Sequence, residues 1–143
     1  MAVRILLLAA AVALVVAGVS RGHQHSACQD ARFDALSVGL HKRPATDAPS
    51  IASRIEDHCR DVDEWVNGAV VFSRVGATDA AATLARAAVA REPDRRNSWL
   101  ALATVRQRVG DASGAARARA RAVALDPVGL RGSLNRSSGR STR

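Results

Sequence analysis

Two cysteines, four histidines and a loose set of carboxylates are the side chains of this sequence with reactive chemistry to offer. Cys28 and Cys59 are the only cysteines in 143 residues. They form no C-x-x-C pair, so neither a dithiol redox motif nor a zinc ribbon is spelled out. His23, Gln24, His25, Cys28, His58 and Cys59 can be gathered into a metal site on paper. The His-x-His element, however, stands in a short stretch beside an apolar run, and no metal is expected there. Neither cysteine has a base at nucleophile spacing. Asp57, Asp61, Asp63 and Glu64 crowd together, but an acid–base pair needs a pocket, and helix capping and dipole effects account for them more cheaply. No glycine-rich phosphate loop, GxSxG elbow or HExxH helix is present. The expectation is a protein without catalytic residues or a cofactor, and not an enzyme.

The elements that must position these residues are helical. Apolar content is 48%, much of it alanine, while aromatics are 3% and tyrosine is absent. Strands favour β-branched and aromatic residues, and these never alternate here. An alanine-rich core suits closely packed helices, so the fold class expected is all-α. The net charge of +8 comes from arginine, Lys42 being the one lysine. Such a balance attracts anionic polymers or lipid headgroups. The arginines are spread over many faces with no nucleic-acid motif, so composition explains them as well and nucleic acid is not the expected partner.

Residues 5–19 run without a charge between Arg4 and Arg21. Fifteen residues lie between a long signal-peptide core and a short membrane span, which usually needs about 17–25. Residues 1–21 are therefore read as a signal anchor on an N-terminal apolar helix, with Arg4 and Arg21 snorkelling to the two interfaces. Gly18-Val19-Ser20 is a mediocre cleavage site, and a cleaved, secreted or periplasmic product is the alternative. In either case the rest is exported, residues 22–27 forming a juxtamembrane linker and the soluble domain standing on the extracytoplasmic side of the cell membrane.

Two cysteines in an oxidising compartment are read first as a disulfide. Residues 28–40 have Phe33, Leu36 and Leu40 at three- and four-residue spacing, the period of an apolar helix face. Gly39, Pro44 and Pro49 mark a break, with Asp47 as candidate cap. Residues 48–59 then carry Ala48, Ile51, Ala52 and Ile55 on one face. Two antiparallel helices place Cys28 beside Cys59, so residues 28–61 are expected to form a stapled hairpin.

Residues 62–128 contain a repeat. A shift of 34 superposes Trp65 on Trp99, Ala69 on Ala103, Val71 on Val105 and Arg74-Val75-Gly76 on Arg108-Val109-Gly110. It also superposes Ala81 on Ala115, Ala88-Val89-Ala90 on Ala122-Val123-Ala124 and Pro93 on Pro127. Each unit (62–95 and 96–128) reads as helix–turn–helix, with Asn97 capping the first helix of the second unit, a glycine turn, and a closing proline. Ala115, Ala118, Ala122 and Leu125 are expected to face inward. Residues 129–143, rich in glycine, serine and arginine, read as a basic disordered tail.

The set Trp99, Leu102, Ala103, Gly110, Ala115, Ala122 and Pro127, repeated as Trp65, Ala69, Gly76, Ala81, Ala88 and Pro93, resembles the tetratricopeptide repeat family. The resemblance covers about 66 of 143 residues. Gly68 departs from it, standing where a leucine is usual, as do Arg106 and Arg119 in place of large apolar residues. The resemblance implies antiparallel hairpins stacked as a short solenoid, with the stapled hairpin as a degenerate first unit. It also implies a scaffold whose concave groove takes a protein or peptide segment. By repeat position the groove comprises Asp63, Val66, Val70, Ser73 and Arg74, then Asn97, Leu100, Thr104, Gln107 and Arg108. Arg74 and Arg108, one per repeat, form either a ladder for acidic groups or a pair of solvated arginines. The family's carboxylate clamp is not reproduced. A tethered scaffold of a cell-envelope assembly is thus the leading functional expectation. A binder of anionic polymer or lipid, or an accessory subunit of a polytopic membrane protein, are the alternatives.

Overall fold

A computed structural model of the chain describes residues 26–126, and these are all-helical, without a strand. The apolar run, the His-x-His stretch, Pro127 and the basic tail lie outside the described residues. Helix α1 covers residues 26–39, and a 3-10 turn (Ala45–Asp47) leads into α2 (Ala48–His58). Then come α3 (Val62–Arg74), α4 (Thr78–Arg91), α5 (Arg96–Arg108) and α6 (Ala112–Leu125). Within the described residues no helix is long and apolar enough to cross a membrane.

The 34-residue period found in the sequence is a structural period. Moving the bounds of α3 and α4 by 34 lands on those of α5 and α6. Gly76 and Gly110 end the first helix of each pair at φ +81° and +82°, a left-handed conformation that costs a side-chain-bearing residue about 1–2 kcal/mol. The two tryptophans repeat as well. Trp65 Nε1 donates to the Cys59 carbonyl at 3.0 Å, and Trp99 Nε1 to the Pro93 carbonyl at 2.7 Å. Both bonds reach back six residues, tying each unit to the end of the preceding helix.

Turns this short force the helices of a pair to run antiparallel. α3 packs on α4 and α5 on α6, while α5 also packs on α3 and α4, and α2 reaches both α3 and α4. The result is a helical-repeat-like arrangement in which each hairpin covers the next. Its core is largely alanine: Ala69, Ala81, Ala85, Ala88 and Ala122 have no exposed surface. Alanine favours helix and lets helices approach closely, but it buries little area. The larger contributions come from Ile51, Ile55, Phe72 and Leu84, each worth about 1.5–3 kcal/mol when fully buried.

In the second helix the expectation holds residue for residue, since Ala48, Ile51, Ala52 and Ile55 are all buried. The first helix is a correction. Its buried face is Ala31, Ala35 and Val38, whereas Phe33, Leu36 and Leu40 are 70%, 55% and 65% exposed. A 34-residue shift explains the choice. It places Ala31, Ala35 and Val38 on Trp65, Ala69 and Phe72, the buried face of α3. At the end of this helix α3 passes close, and a Cβ on Gly39 would stand 2.8 Å from Val71.

Helix starts differ from expectation too. Asp47 sits at the first residue before α2 but its side chain caps nothing; it lies 3.8 Å from Arg43. Asn97 is inside the first turn of α5, which begins at Arg96 with no side-chain cap. Asp61 and Asp111 are the carboxylates that do cap, accepting from the Asp63 and Gly114 amides at 2.9 and 2.8 Å. That amide bond, more than any neighbouring charge, holds the Asp111 carboxyl below the ordinary carboxylate range. Ala115, Ala118 and Ala122 face inward as expected, but Leu125 is only half-buried. Ser98 is fully buried with no partner for its hydroxyl among the described residues.

Candidate partner groove

Cys28 and Cys59 are joined as a disulfide, their Cα atoms 4.9 Å apart. The bond ties the beginning of α1 to the junction of α2 and α3, the same junction that receives the Trp65 hydrogen bond. A bridge closing 31 residues contributes roughly 3–4 kcal/mol in the chain-entropy account. Its local effect is to hold α1 alongside α3, and a cavity of about 330 Å³ lies between these two helices.

The cavity has an apolar floor and a charged rim. Ile55 and Gly68 form part of its base, Leu36, Val70 and Val71 its sides, and Arg32, Glu64, Asn67 and Arg74 its edges. Arg32 Nε lies 2.8 Å from Glu64 Oε2, so one cation and one anion cancel across the gap. Arg74 is exposed and has no ion-pair partner among the described residues. It borders a second recess of about 170 Å³ with Leu36, Gly39, Leu40 and Val71. Open apolar surface beside a lone guanidinium can bury a hydrophobic side chain and take an acidic group at once.

Of the residues placed in the groove from the sequence, Val70 and Arg74 line this cavity. Ser73 does not: it is buried, and its hydroxyl donates to the Val70 carbonyl at 2.8 Å. Asp63 is held by Arg95, which also meets Glu92 at 2.8 Å; these carboxylates, Glu92 first, keep the Arg95 guanidinium more strongly protonated than usual. Val66 is half-buried against the core. In the second unit Leu100 is half-buried, Asn97 and Arg108 are exposed, and Gln107 accepts from Arg119. Thr104 turns its hydroxyl to the Leu100 carbonyl at 2.9 Å. None of these five lines the cavity.

Arg32, Leu36, Leu40 and Asn67 were missed. The signal was present: a shift of 34 puts Leu36 on Val70 and Leu40 on Arg74, so the first hairpin supplies the apolar groove positions. Arg106 is half-buried and spans the α5–α6 corner, donating to the Gly114 carbonyl at 3.3 Å. The acidic run dissolves into separate roles. Asp61 caps α3, Asp63 and Glu64 enter ion pairs, and no cluster of three or more metal-type ligands occurs among the described residues.

No protein-family model matches the chain, and no curated protein matches it either.

Proposed function

We propose that this chain is a tetratricopeptide-type scaffold, tethered to a membrane by residues 1–21 with its helical domain on the extracytoplasmic side. In this reading it binds a segment of another protein. The observation that carries the proposal is the exposure of Leu36 and Leu40 along two adjoining recesses beside Arg74, which has no ion-pair partner among the described residues. Leaving large apolar side chains in water forgoes burial worth about 1.5–3 kcal/mol each, which a partner can recover. The coincidence of helix bounds at a 34-residue shift supports stacking of the tetratricopeptide kind. The disulfide supports export, since such bonds persist in oxidising compartments.

Co-purification in mild detergent from the native cell tests the reading. Leu36→Asp is expected to lose the co-purifying protein while keeping the fold, because residue 36 is already half in water. Recovery of the same partner by that variant removes the groove from consideration. A second reading, binding of an anionic polymer or lipid, draws on the exposed Arg74 and Arg108 and the net charge of +8. It requires binding that falls steeply between low and moderate salt.

A further inference from the structure

We propose that the α1–α3 cavity selects peptide segments in which a bulky apolar side chain is followed closely by a carboxylate. The inference rests on the scaffold reading and specifies its ligand. Five large hydrophobic residues are exposed among the described residues, and three of them stand together: Phe33 and Leu36 on α1, and Leu40 just past its last residue. Leu36 and Leu40 open onto the two adjoining recesses. A concentration of this kind marks an interaction face and not the scatter of single apolar residues found on any surface.

Charge then narrows the class. Among the described residues the charged ones lining the cavity are Arg32, Glu64 and Arg74, a net charge of +1 (two cations less one anion). The Arg32–Glu64 pair is internally satisfied, which leaves Arg74 as the cation still open to a ligand. Because Arg74 borders both recesses, a carboxylate on it is within a residue or two of an apolar side chain beside Leu36. Asn67, exposed at the rim, offers an amide donor and acceptor to a peptide group. A lipid surface fits less well. Anionic headgroups gather around clusters of unpaired cations. Here Arg43 and Arg54 are both engaged by Asp34, and Arg32 by Glu64.

The test uses the full chain in neutral-lipid nanodiscs and three labelled, end-blocked hexapeptides followed by fluorescence anisotropy. The first, Ala-Ala-Phe-Glu-Ala-Ala, carries both features. The second has Gln for Glu, and the third Ala for Phe. The first is expected to bind, with the other two at least about tenfold weaker, the value of one charge-assisted hydrogen bond or one half-buried aromatic. Arg74→Gln is expected to erase the Glu–Gln difference, Leu36→Asp to weaken all three, and Arg86→Gln, an exposed change on α4, to alter nothing. Equal binding of the Glu and Gln peptides overturns the acidic specificity and leaves the scaffold reading standing. Absence of binding by every peptide up to about 1 mM overturns both, since affinities weaker than that amount to less than about 4 kcal/mol. Retention on anionic vesicles that Leu36→Asp abolishes would assign the face to lipid. Concentration-dependent dimers lost in the same variant would assign it to a second copy of the chain.

Discussion

Exchanging the sizes of two core residues tests whether the repeat is a packing unit as well as a sequence pattern. In the first unit Gly68 faces Leu84: a Cβ on Gly68 would come 2.7 Å from a Leu84 methyl and 3.1 Å from one of Ile55. A shift of 34 turns this pair into Leu102 and Ala118, both buried. The two units thus hold large and small residues in opposite order across the same hairpin. Leu84→Ala alone should cost about 3 kcal/mol, the transfer loss plus a cavity that Gly68 cannot fill. Gly68→Leu alone should cost about 1–2 kcal/mol, overpacking being partly offset by better helix propensity. Independent effects would add to about 4–5 kcal/mol, a large share of a small domain's stability. The combined Gly68→Leu, Leu84→Ala chain instead recreates the second unit's arrangement. It should lose only about 1–2 kcal/mol, with Ile55 still crowding the new leucine. Urea unfolding followed by Trp65 and Trp99 fluorescence measures all four proteins. Additive losses would refute the reasoning, because they would mean that positions 68 and 84 do not share one space.

Four further outcomes follow from particular residues. His41 ends α1 at φ 58°, the conformation that Gly76 and Gly110 take in the other pairs, so His41→Gly should stabilise by about 0.5–1 kcal/mol while Gly76→Ala destabilises by about 1 kcal/mol; opposite signs in thermal unfolding are the check. Ser98→Ala removes a buried hydroxyl that has no partner and should raise stability by about 1 kcal/mol, whereas a loss would reveal an unrecognised bond. The Asp34 carboxyl is held below its ordinary range, first by the Arg54 hydrogen bond and then by Arg43. Its folded value lies below its unfolded one, so its contribution is present above about pH 4 and disappears as the pH falls further; the gap in urea midpoint between wild type and Asp34→Asn should hold steady near neutrality and close in acid. Reduction should lower stability by roughly 3–4 kcal/mol and loosen α1 first, seen as faster hydrogen exchange there, while thiol labelling of protein from its native compartment should find nothing free.

Much of the fold was legible. The repeat period, the glycine turns, the buried face of α2 and the cysteine pairing all follow from local spacing. Less of the groove was legible, since only Val70 and Arg74 of the ten expected positions line the cavity. Ser73 looked like a groove residue by repeat position, yet its hydroxyl can be satisfied by its own helix, and α3 buries it.

What the sequence alone determined is the unit: two helices, a left-handed glycine between them, a tryptophan in the first helix, and a copy of all this 34 residues on. These are short-range matters of backbone conformation and residue spacing, and residue types record them directly. Tertiary structure decided which face of α1 is inside, and only comparison with α3 at a shift of 34, not α1 itself, records that choice. That helix has an alanine–valine face and a phenylalanine–leucine face, and periodicity permits either. In the fold the alanine–valine face joins the core shared with α2, α3 and α4, and Phe33, Leu36 and Leu40 turn outward. The fit of one helix against its neighbours is a relation between distant segments, so neither the buried face nor the cavity beside it could be read from α1 by itself.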